Sequence, residues 1–588
     1  MGEAKRRKNA GWGFLGIAAG IVVGLSILLR LPDLIAGTVP TDPGRYLGHP
    51  FRVYYLFSLD LFVLVSLLAV VPYSADRSRV RALVAGSILF LLVYRTYDAG
   101  IVAALHRSPI FYADVSHLVG AGYLLANASL PGRILVGIGA GLGLFVLLGW
   151  GLPVLLRRLH RAVTTPLGRR GLIVANSVVW PLIVFAIVAD RGTFLRRATY
   201  QSTCLSTTEC LVRNVNASLT LQREVAARAQ RPPDSTYANY GTLKWDRPPS
   251  LYLIMVESYG SVLAAPESPV PYDRFMGRTA DSLRASGWHM ATAQSEAPVF
   301  GGLSWLSAAT LFLGTPVEHQ PVFEVLRPTL PRYPHLVHLL QRQGYETATL
   351  QPPVRTRPGL SVDNPYGFDR TFYLRDLDYG GPTVGWGIVP DQYSLSVAHE
   401  RFVETTDPPF FLFFETVTPH LPWRTPPPPL ADEPARLNRA SQSPAAASGG
   451  ASERPGWAAR SQMERLFRHI QYDWRVLTRY LRTQAPPNSL VVVVGDHQPY
   501  FAEAASRATP VHVLGRDASL VRRFEPHGFA SGLGPTPTAD TLDHAGMYSL
   551  IVRVLTAHDR AAKGDSSALL PPYRPRGVER AALLPERP

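Results

Sequence analysis

The chain has 588 residues, which exceeds one ordinary domain, and 46% of them are hydrophobic. Lysine and arginine outnumber aspartate and glutamate by 59 to 44, giving a formal net charge of +15. Many of these cations flank apolar runs, where they set membrane topology, and no nucleic-acid-binding motif accompanies them. The composition therefore predicts an integral membrane protein and excludes nucleic acid as a partner.

Five apolar stretches in the first third of the chain are long enough to span a bilayer, which takes roughly 20 helical residues. They lie near 12–31, 53–72, 82–104, 133–156 and 171–189. A weaker, amphipathic run at 110–129 is predicted to lie at the membrane surface. Cation-rich segments precede the first span and occupy the second and fourth connections. By the positive-inside rule, everything after the fifth span is predicted to lie outside the cytoplasm, at a bacterial inner membrane.

Three ionisable side chains, Asp60, Arg95 and Asp98, fall within the predicted spans. A helical rise of ~1.5 Å per residue places Asp60 and Arg95 about 10–14 Å below the outer surface. An isolated charge in hydrocarbon is costly, so we expect these two side chains to form a salt bridge between helices. Binding of a lipid headgroup is the alternative role.

The only two cysteines, Cys204 and Cys210, lie in a segment predicted to connect two domains. This connector, 191–248, joins a transmembrane domain, 1–190, to an extracytoplasmic domain, 249–588. A zinc knuckle would need more ligands at tighter spacing. Outside the cytoplasm the pair favours a small-loop disulfide, with two free structural thiols as the alternative.

Short apolar runs punctuate the extracytoplasmic domain and are typical of central parallel strands buried on both faces. These runs are LYLIMV at 251–256, FFLFF at 410–414 and LVVVV at 490–494. Helical stretches such as 459–483 separate them, which predicts an α/β domain with a mainly parallel central sheet. Residues 424–456 are rich in Pro, Ala and Ser and are interpreted as a flexible insertion.

Polar residues follow two of the predicted strands directly. Glu257 comes after the first strand, and Asp496 and His497 come after the third. A single acidic residue in such a place is usually a turn former or helix cap. Ligands of open α/β sheets bind beyond the carboxyl ends of the strands, and two carboxylates with an imidazole suit one divalent cation. Zn²⁺ or Mn²⁺ is the predicted ion, with Mg²⁺ or Ca²⁺ as alternatives.

The motifs VESYG, GGLSWLSAATLFLG, TPHLPW and GDHQPY, in this order, resemble the alkaline-phosphatase/sulfatase superfamily. The branch they resemble holds lipoteichoic-acid synthases, phosphoglycerol transferases and lipid A phosphoethanolamine transferases. The resemblance covers roughly 250–560, and a five-span anchor before the catalytic domain also matches that branch. It implies a metal centre formed by four side chains: Glu257, Ser304, Asp496 and His497.

The resemblance also implies that Ser304, at the start of a helix, is the catalytic nucleophile. Sulfatases carry Pro and Arg two and four residues beyond that position, where this chain has Leu306 and Ala308. The departure argues against conversion to formylglycine and fits the transferase branch, which uses an unmodified hydroxyl, usually of Thr. Ser307 is the alternative nucleophile.

Four further residues are predicted to bind substrate: His420, Arg355, Arg357 and Trp305. His420 resembles the family histidine that contacts the substrate phosphate or leaving oxygen. One of the two arginines is expected to clamp phosphate, with a solvated loop as the alternative. Trp305 and Tyr259 are candidates to line a headgroup pocket, although core packing is the commoner fate of aromatic side chains.

The sequence therefore predicts a membrane-anchored, sulfatase-family phosphotransferase. Its expected donor is a membrane phospholipid, and its expected acceptor is an envelope glycan or lipid. The transferred group would be phosphoglycerol- or phosphoethanolamine-like and would pass through a covalent Ser304 intermediate. The alternatives are a sulfatase-like or phosphodiester hydrolase and a catalytically silent scaffold for envelope assembly.

Overall fold

The computed structural model describes fifteen segments of the chain, which separate into two compact units, Met1–Leu221 and Gln222–Pro588. The described residues are 2–36, 58–70, 78–105, 107–115, 131–189, 206–229, 235–354, 363–381, 389–407, 409–421, 423, 459–502, 506–534, 542–564 and 569–578. The predicted insertion at 424–456 lies outside them. The boundary between the units falls inside the predicted connector.

The first unit is helical. Its helices are α1 (Gly2–Ala36), α2 (Leu59–Val70), α3 (Ser78–Leu105), α4 (Phe111–Asp114), α5 (Pro131–Val163), α6 (Pro166–Ala189) and the greater part of α7 (Thr207–Ala229), which continues past Leu221. Among the described residues, two stretches are long and apolar enough to cross a membrane, 16–33 and 78–102. The count of five spans stays a prediction, as does the surface location of the amphipathic run, most of which lies outside the described residues.

Four helices of this unit, α1, α2, α3 and α5, pack through an apolar core that includes Leu29, Leu68, Ile88 and Leu156. Their outward faces are also apolar, since side chains such as Leu83, Phe90 and Trp150 are more than half exposed. A helix that is apolar on every side is typical of a lipid environment, where outward apolar groups meet acyl chains instead of water.

The predicted salt bridge between Asp60 and Arg95 is wrong. Arg95 instead pairs with Asp33 and Asp98, with 2.8 Å between the guanidinium nitrogens and each carboxylate. Asp60 accepts the backbone N–H of Thr207 across 2.7 Å and that of the following residue across 3.2 Å. A carboxylate at a helix N-terminus is stabilised by the free N–H groups there, so Asp60 caps α7 and needs no cation.

Cys210 is disulfide-bonded in the structure, and Cys204, the only other cysteine, lies outside the described residues. The bonded sulfur of Cys210 lies 3.3 Å from a guanidinium nitrogen of Arg95. We expect the denatured but unreduced protein to take up no iodoacetamide, because both thiols are oxidised. Intact mass after reduction should then show two alkylations. Labelling without reduction would reject the disulfide.

The described residues of the second unit form one sheet of nine strands. They are β1 (Ser250–Val256), β2 (His289–Glu296), β3 (Glu346–Gln351), β4 (Arg370–Tyr373), β5 (Phe410–Glu415), β6 (Ser489–Gly495), β7 (Ala508–Gly515), β8 (Ala530–Ser531) and β9 (Leu542–Asp543). Their order is β4-β3-β5-β1-β6-β7-β2-β8, with β9 beside β2. The strands from β4 to β6 are parallel, and β7 runs antiparallel to β6 and β2. The predicted α/β fold with a mainly parallel sheet is confirmed.

Helices cover both faces of this sheet. They are α8 (Tyr272–Arg284), α9 (Ser304–Leu313), α10 (Gln320–Leu326), α11 (Leu336–Arg342), α12 (Asp391–Ala398), α13 (Ala459–Thr483), α14 (Ala518–Arg522) and α15 (Gly546–Ala562). One apolar core joins α8, α12 and α13 to the sheet, and the other joins α9, α11 and α15. Tyr237 and Trp245, from the predicted connector, are buried in the second core. Because β5, β1 and β6 are parallel neighbours, their carboxyl ends lie side by side at one edge of the sheet.

Candidate metal centre and active site

Four of the predicted site residues meet at this edge of the sheet. Glu257 follows β1, Asp496 and His497 follow β6, and Ser304 begins α9. Ser304 Oγ lies 3.3 Å from Glu257 Oε2 and 3.4 Å from His497 Nε2. His497 Nε2 is 3.8 Å from Glu257 Oε1 and 3.1 Å from Asp496 Oδ2. Residues that are distant in the sequence thus form one compact cluster, and each of the four side chains is buried.

The orientation of the His497 ring leaves a lone pair directed into the cluster. Its Nδ1 lies 2.9 Å from the carbonyl oxygen of Gln498, which can only accept, so Nδ1 carries the proton. Nε2 is then unprotonated and faces Asp496 Oδ2, a buried oxygen without a hydrogen-bond donor among the described residues. Two facing lone pairs repel each other unless a proton or a metal ion lies between them, and an outer hydrogen bond on the second ring nitrogen is typical of metal-bound histidine.

The spacing of the cluster also fits a small divalent ion. Bonds of about 2.0–2.1 Å in a tetrahedral site place the ligand atoms about 3.3–3.4 Å apart. The four measured contacts among these side chains, from 3.1 to 3.8 Å, bracket that value. One ligand atom from each of Glu257, Asp496 and His497 lies within 4.8 Å of the other two.

The electrostatics of the cluster also favour a bound cation. Burial, and then the charge of Glu257, raise the pKa of Asp496 well above its usual range. Burial opposes ionisation of Glu257 too, but His420 and His497 bring the pKa of its carboxyl below the usual value. Burial lowers the pKa of His497 and keeps its ring neutral. The carboxyl of Asp496 is therefore ionised at neutral pH only when a cation offsets its charge.

Ser258 holds the two carboxylates and was not identified from the sequence. Its N–H donates to Asp496 Oδ1 across 2.7 Å, and its hydroxyl donates to Glu257 Oε1 across 2.6 Å. Its backbone is left-handed, with φ of 55°, a conformation that costs energy for a residue other than glycine. Only its position directly after Glu257 could have drawn attention to it.

The loop before Ser304 is also left-handed. Gly301, Gly302 and Leu303 all have positive φ, and this turn sets Ser304 at the first position of α9. Free N–H groups and the helix dipole at such a position favour an anion. Ser307, the alternative nucleophile, is fully buried and donates its hydroxyl to the carbonyl oxygen of Asp496 across 2.7 Å. The geometry therefore favours Ser304 over Ser307.

Comparison with known proteins gives one family match. The family model described as Sulfatase matches residues 287–527. The predicted resemblance to the sulfatase family is confirmed. Ser304, His420, Asp496 and His497 lie inside the matched sulfatase segment, and Glu257 lies before it. No curated protein sequence matches the chain significantly.

Three solved structures illustrate the range of similarity. Lipooligosaccharide phosphoethanolamine transferase A from Neisseria meningitidis is 13% identical, with 94% of this chain and 95% of that chain covered and a TM-score of 0.45. A protein of the alkaline phosphatase superfamily from Vibrio parahaemolyticus is 15% identical, with coverages of 58% and 74% and a TM-score of 0.34. Phosphoglycerol transferase from Streptococcus pyogenes is 13% identical, with coverages of 62% and 90% and a TM-score of 0.32.

His544, whose role the sequence did not indicate, supports the strand end that carries Asp496. Its Nε2 lies 3.0 Å from the carbonyl oxygen of Gly495, and its Nδ1 lies 2.9 Å from the hydroxyl of Ser295. Burial lowers the pKa of His544 to about 4, so the ring is neutral and Nε2 carries the proton. The contact fixes the last carbonyl of β6, directly before Asp496.

The predicted substrate-binding residues fall into two groups. His420 is half-buried after β5, with Nδ1 2.6 Å from the carbonyl oxygen of Leu421, and its charge acts on Glu257. Trp305 is 44% exposed beside Ser304. Arg355 and Arg357 lie outside the described residues. Tyr259 is fully buried and hydrogen-bonds within the core, so it does not line a pocket.

Proposed function

We propose that the protein is a membrane-anchored, metal-dependent phosphotransferase. It would move a phosphoglycerol- or phosphoethanolamine-like group from a membrane phospholipid to an envelope glycan or lipid. The observation that carries this proposal is the position of Ser304 Oγ, at the N-terminus of α9 and within 3.4 Å of both Glu257 and His497. A hydroxyl in that position has the carboxylate of Glu257 beside it to accept its proton. The free N–H groups at the start of α9 favour binding of an anion there.

The ion would be held by the four side chains of the cluster: Glu257, Ser304, Asp496 and His497. When bound, a divalent ion such as Zn²⁺ or Mn²⁺ supplies Lewis-acid stabilisation of the phosphoryl oxygens and lowers the pKa of the serine hydroxyl. The remaining chemistry belongs to the protein. Ser258 keeps Glu257 and Asp496 in their ligand positions, and His544 fixes the strand end that presents Asp496.

The first chemical step is attack by Ser304 Oγ on the phosphorus of the donor. A phosphorus–oxygen bond forms as the serine hydroxyl gives up its proton, the bond to the diacylglycerol oxygen breaks, and that oxygen takes up a proton as the lipid alcohol leaves. An acceptor hydroxyl then attacks the phosphoserine diester and loses its proton, the bond from phosphorus to Ser304 breaks, and Ser304 Oγ takes up a proton to restore the hydroxyl. His420 would hydrogen-bond the departing oxygen, and Trp305 and one of the arginines, Arg355 or Arg357, would bind the headgroup and phosphate.

The location of the reaction follows from the proposed topology. With five spans and a cytoplasmic N-terminus, the catalytic unit would lie outside the cytoplasm at the inner membrane, where the donor phospholipid is available. The disulfide at Cys210 supports this placement, because structural disulfides persist in oxidising compartments.

Two alternatives differ in their products. A hydrolase would release the headgroup phosphate to water, and a scaffold would release nothing. The scaffold is disfavoured because two carboxylates and a lone-pair-bearing imidazole buried together are costly unless they bind a cation. The sulfatase variant is disfavoured by Leu306 and Ala308, which stand where formylglycine formation needs Pro and Arg.

The full-length protein in lipid nanodiscs provides the test. We expect it to release diacylglycerol from phosphatidylglycerol or phosphatidylethanolamine with a labelled headgroup, and to transfer the label to an envelope lipid or glycan extract. Ser304→Ala protein serves as the control. Label found only as a free water-soluble phosphate would assign a hydrolase, and no release from any phospholipid would leave the scaffold role. Mass spectrometry of lipids and glycans from a deletion strain should show the lost substituent.

A further inference from the structure

A buried pair of carboxyl groups, Asp391 and Asp473, lies behind the segment that carries His420. We propose that Asp391 is a positioning residue for His420, which it holds by accepting the backbone N–H groups of Val417 and Thr418 in the segment before His420. The proposal rests on the proposed function only for the role of His420 in turnover. The positioning itself is tested without activity.

The contacts of Asp391 are almost all with the chain after β5. Val417 donates its N–H to both carboxylate oxygens, at 3.0 and 3.1 Å, and Thr418 donates its N–H to Oδ2 across 2.7 Å. In return, the N–H of Asp391 donates to the hydroxyl of Thr418 across 3.2 Å. These reciprocal bonds tie the first turn of α12 to the strand exit, and hydrogen bonds to a charged acceptor are the stronger kind.

The turn that follows β5 makes hydrogen bonds that position the backbone of both His420 and Glu257. The N–H of His420 donates to the carbonyl oxygen of Val417 across 3.0 Å, which closes the turn that begins at the Asp391 contact. Thr416, one residue earlier, accepts the N–H of Glu257 at its hydroxyl across 3.2 Å. A carboxylate outside the metal cluster therefore determines where the histidine stands relative to a metal ligand.

The protonation of the pair follows from burial. Both side chains are 1% exposed, and side-chain hydrogen bonds with Asp391 and Thr416 act on the carboxyl of Asp473. Burial, and then the neighbouring Asp391, raise the pKa of Asp473 well above its usual range. Burial raises the pKa of Asp391 to about 6, against the effect of its N–H donors. At neutral pH, Asp391 is thus ionised and Asp473 is protonated, and the buried pair carries one negative charge instead of two.

The two carboxyls form a matched pair for substitution, since they are adjacent and equally buried. Asp473→Asn replaces a neutral acid by a neutral amide, so exchange of the 416–421 backbone amides with deuterium should stay at the wild-type rate. Asp391→Asn removes the charged acceptor and should accelerate exchange in that peptide about 10-fold. Equal rates in both variants, or no acceleration in Asp391→Asn, would overturn the proposal. If Asp391→Asn does not accumulate, Thr418→Val, which deletes one reciprocal bond, should accelerate exchange about 3-fold.

A second measurement asks whether Asp391 acts through His420. In the turnover assay, Asp391→Asn should lower kcat at least about 10-fold in the wild type but less than about 2-fold in a His420→Ala background. Metal affinity should be unchanged in both. Full additivity of the two losses would reject the route through His420. If wild-type protein shows no turnover, the proposed function fails, and deuterium exchange alone decides the positioning.

Discussion

Replacing Ser304 by alanine should abolish turnover and the covalent intermediate together. The nucleophile is the one group whose loss leaves no attacking oxygen, and such substitutions cost from about 10³-fold up to ~10⁶-fold in kcat. Incubation of wild-type protein with donor lipid and no acceptor should leave a phosphodiester adduct on the peptide that contains Ser304. Peptide mass mapping detects the added mass of the headgroup phosphate.

Two serine variants sharpen this test. Ser307→Ala, one helical turn away, should keep the adduct at Ser304, because its hydroxyl is committed to the carbonyl of Asp496. Ser304→Thr restores the hydroxyl usual in the transferase branch and should retain part of the adduct and of the turnover. An adduct on Ser307 would move the nucleophile, and an aldehyde at position 304 would assign the protein to the formylglycine sulfatases.

Loss of the metal is the second large effect. Asp496→Ala or His497→Ala removes one of three side chains whose ligand atoms lie within 4.8 Å of one another. We expect the affinity for Zn²⁺ or Mn²⁺ to fall more than about 100-fold, since even the loss of an outer partner costs about 10–100-fold. Calorimetry on the purified full-length protein measures this directly, and turnover should disappear in parallel.

A matched carboxylate separates ligand loss from general damage to the sheet edge. Glu415 is the last residue of β5, the strand beside β1, and is buried and hydrogen-bonded to Gln351 across 2.7 Å. Glu415→Gln should keep wild-type metal affinity, because Glu415 is not one of the four donors. If Asp496→Ala and His497→Ala bound metal as tightly as Glu415→Gln, the ligand assignment would be wrong.

Most of the cluster could be predicted from the sequence because its residues directly follow apolar runs that are recognisable as strands. Continuous apolar runs mark buried parallel strands, and parallel strands end at a common edge. Glu257, Asp496 and His497 could therefore be placed together without coordinates. Ser304 needed the resemblance to a family, since nothing in the spacing alone brings the start of α9 to that edge.

The predicted Asp60–Arg95 salt bridge was wrong because it depends on the direction in which each side chain points. Helical rise placed Asp60 and Arg95 at one depth, but depth does not determine which helix faces which. Asp33, the partner of Arg95, lies beyond the predicted end of the first span, whereas α1 continues to Ala36. Two further features have no local pattern in the sequence because they depend on tertiary geometry. They are the left-handed backbone of Ser258 and the hydrogen bonds that Asp391 accepts from Val417.

Adjacent strands of the sheet can be far apart in the order of synthesis. β1 and β6 are neighbours in space, yet β2 to β5 are translated between Glu257 and Asp496. A nascent chain emerging across the membrane would therefore offer an ion the carboxylate of Glu257 first, the hydroxyl of Ser304 next, and the other two ligands only after β6. Capture of the ion would accordingly report that the chain has been exported beyond β6 and that β6 has paired with β1, and metal starvation should leave molecules that are inserted but sensitive to protease at this edge.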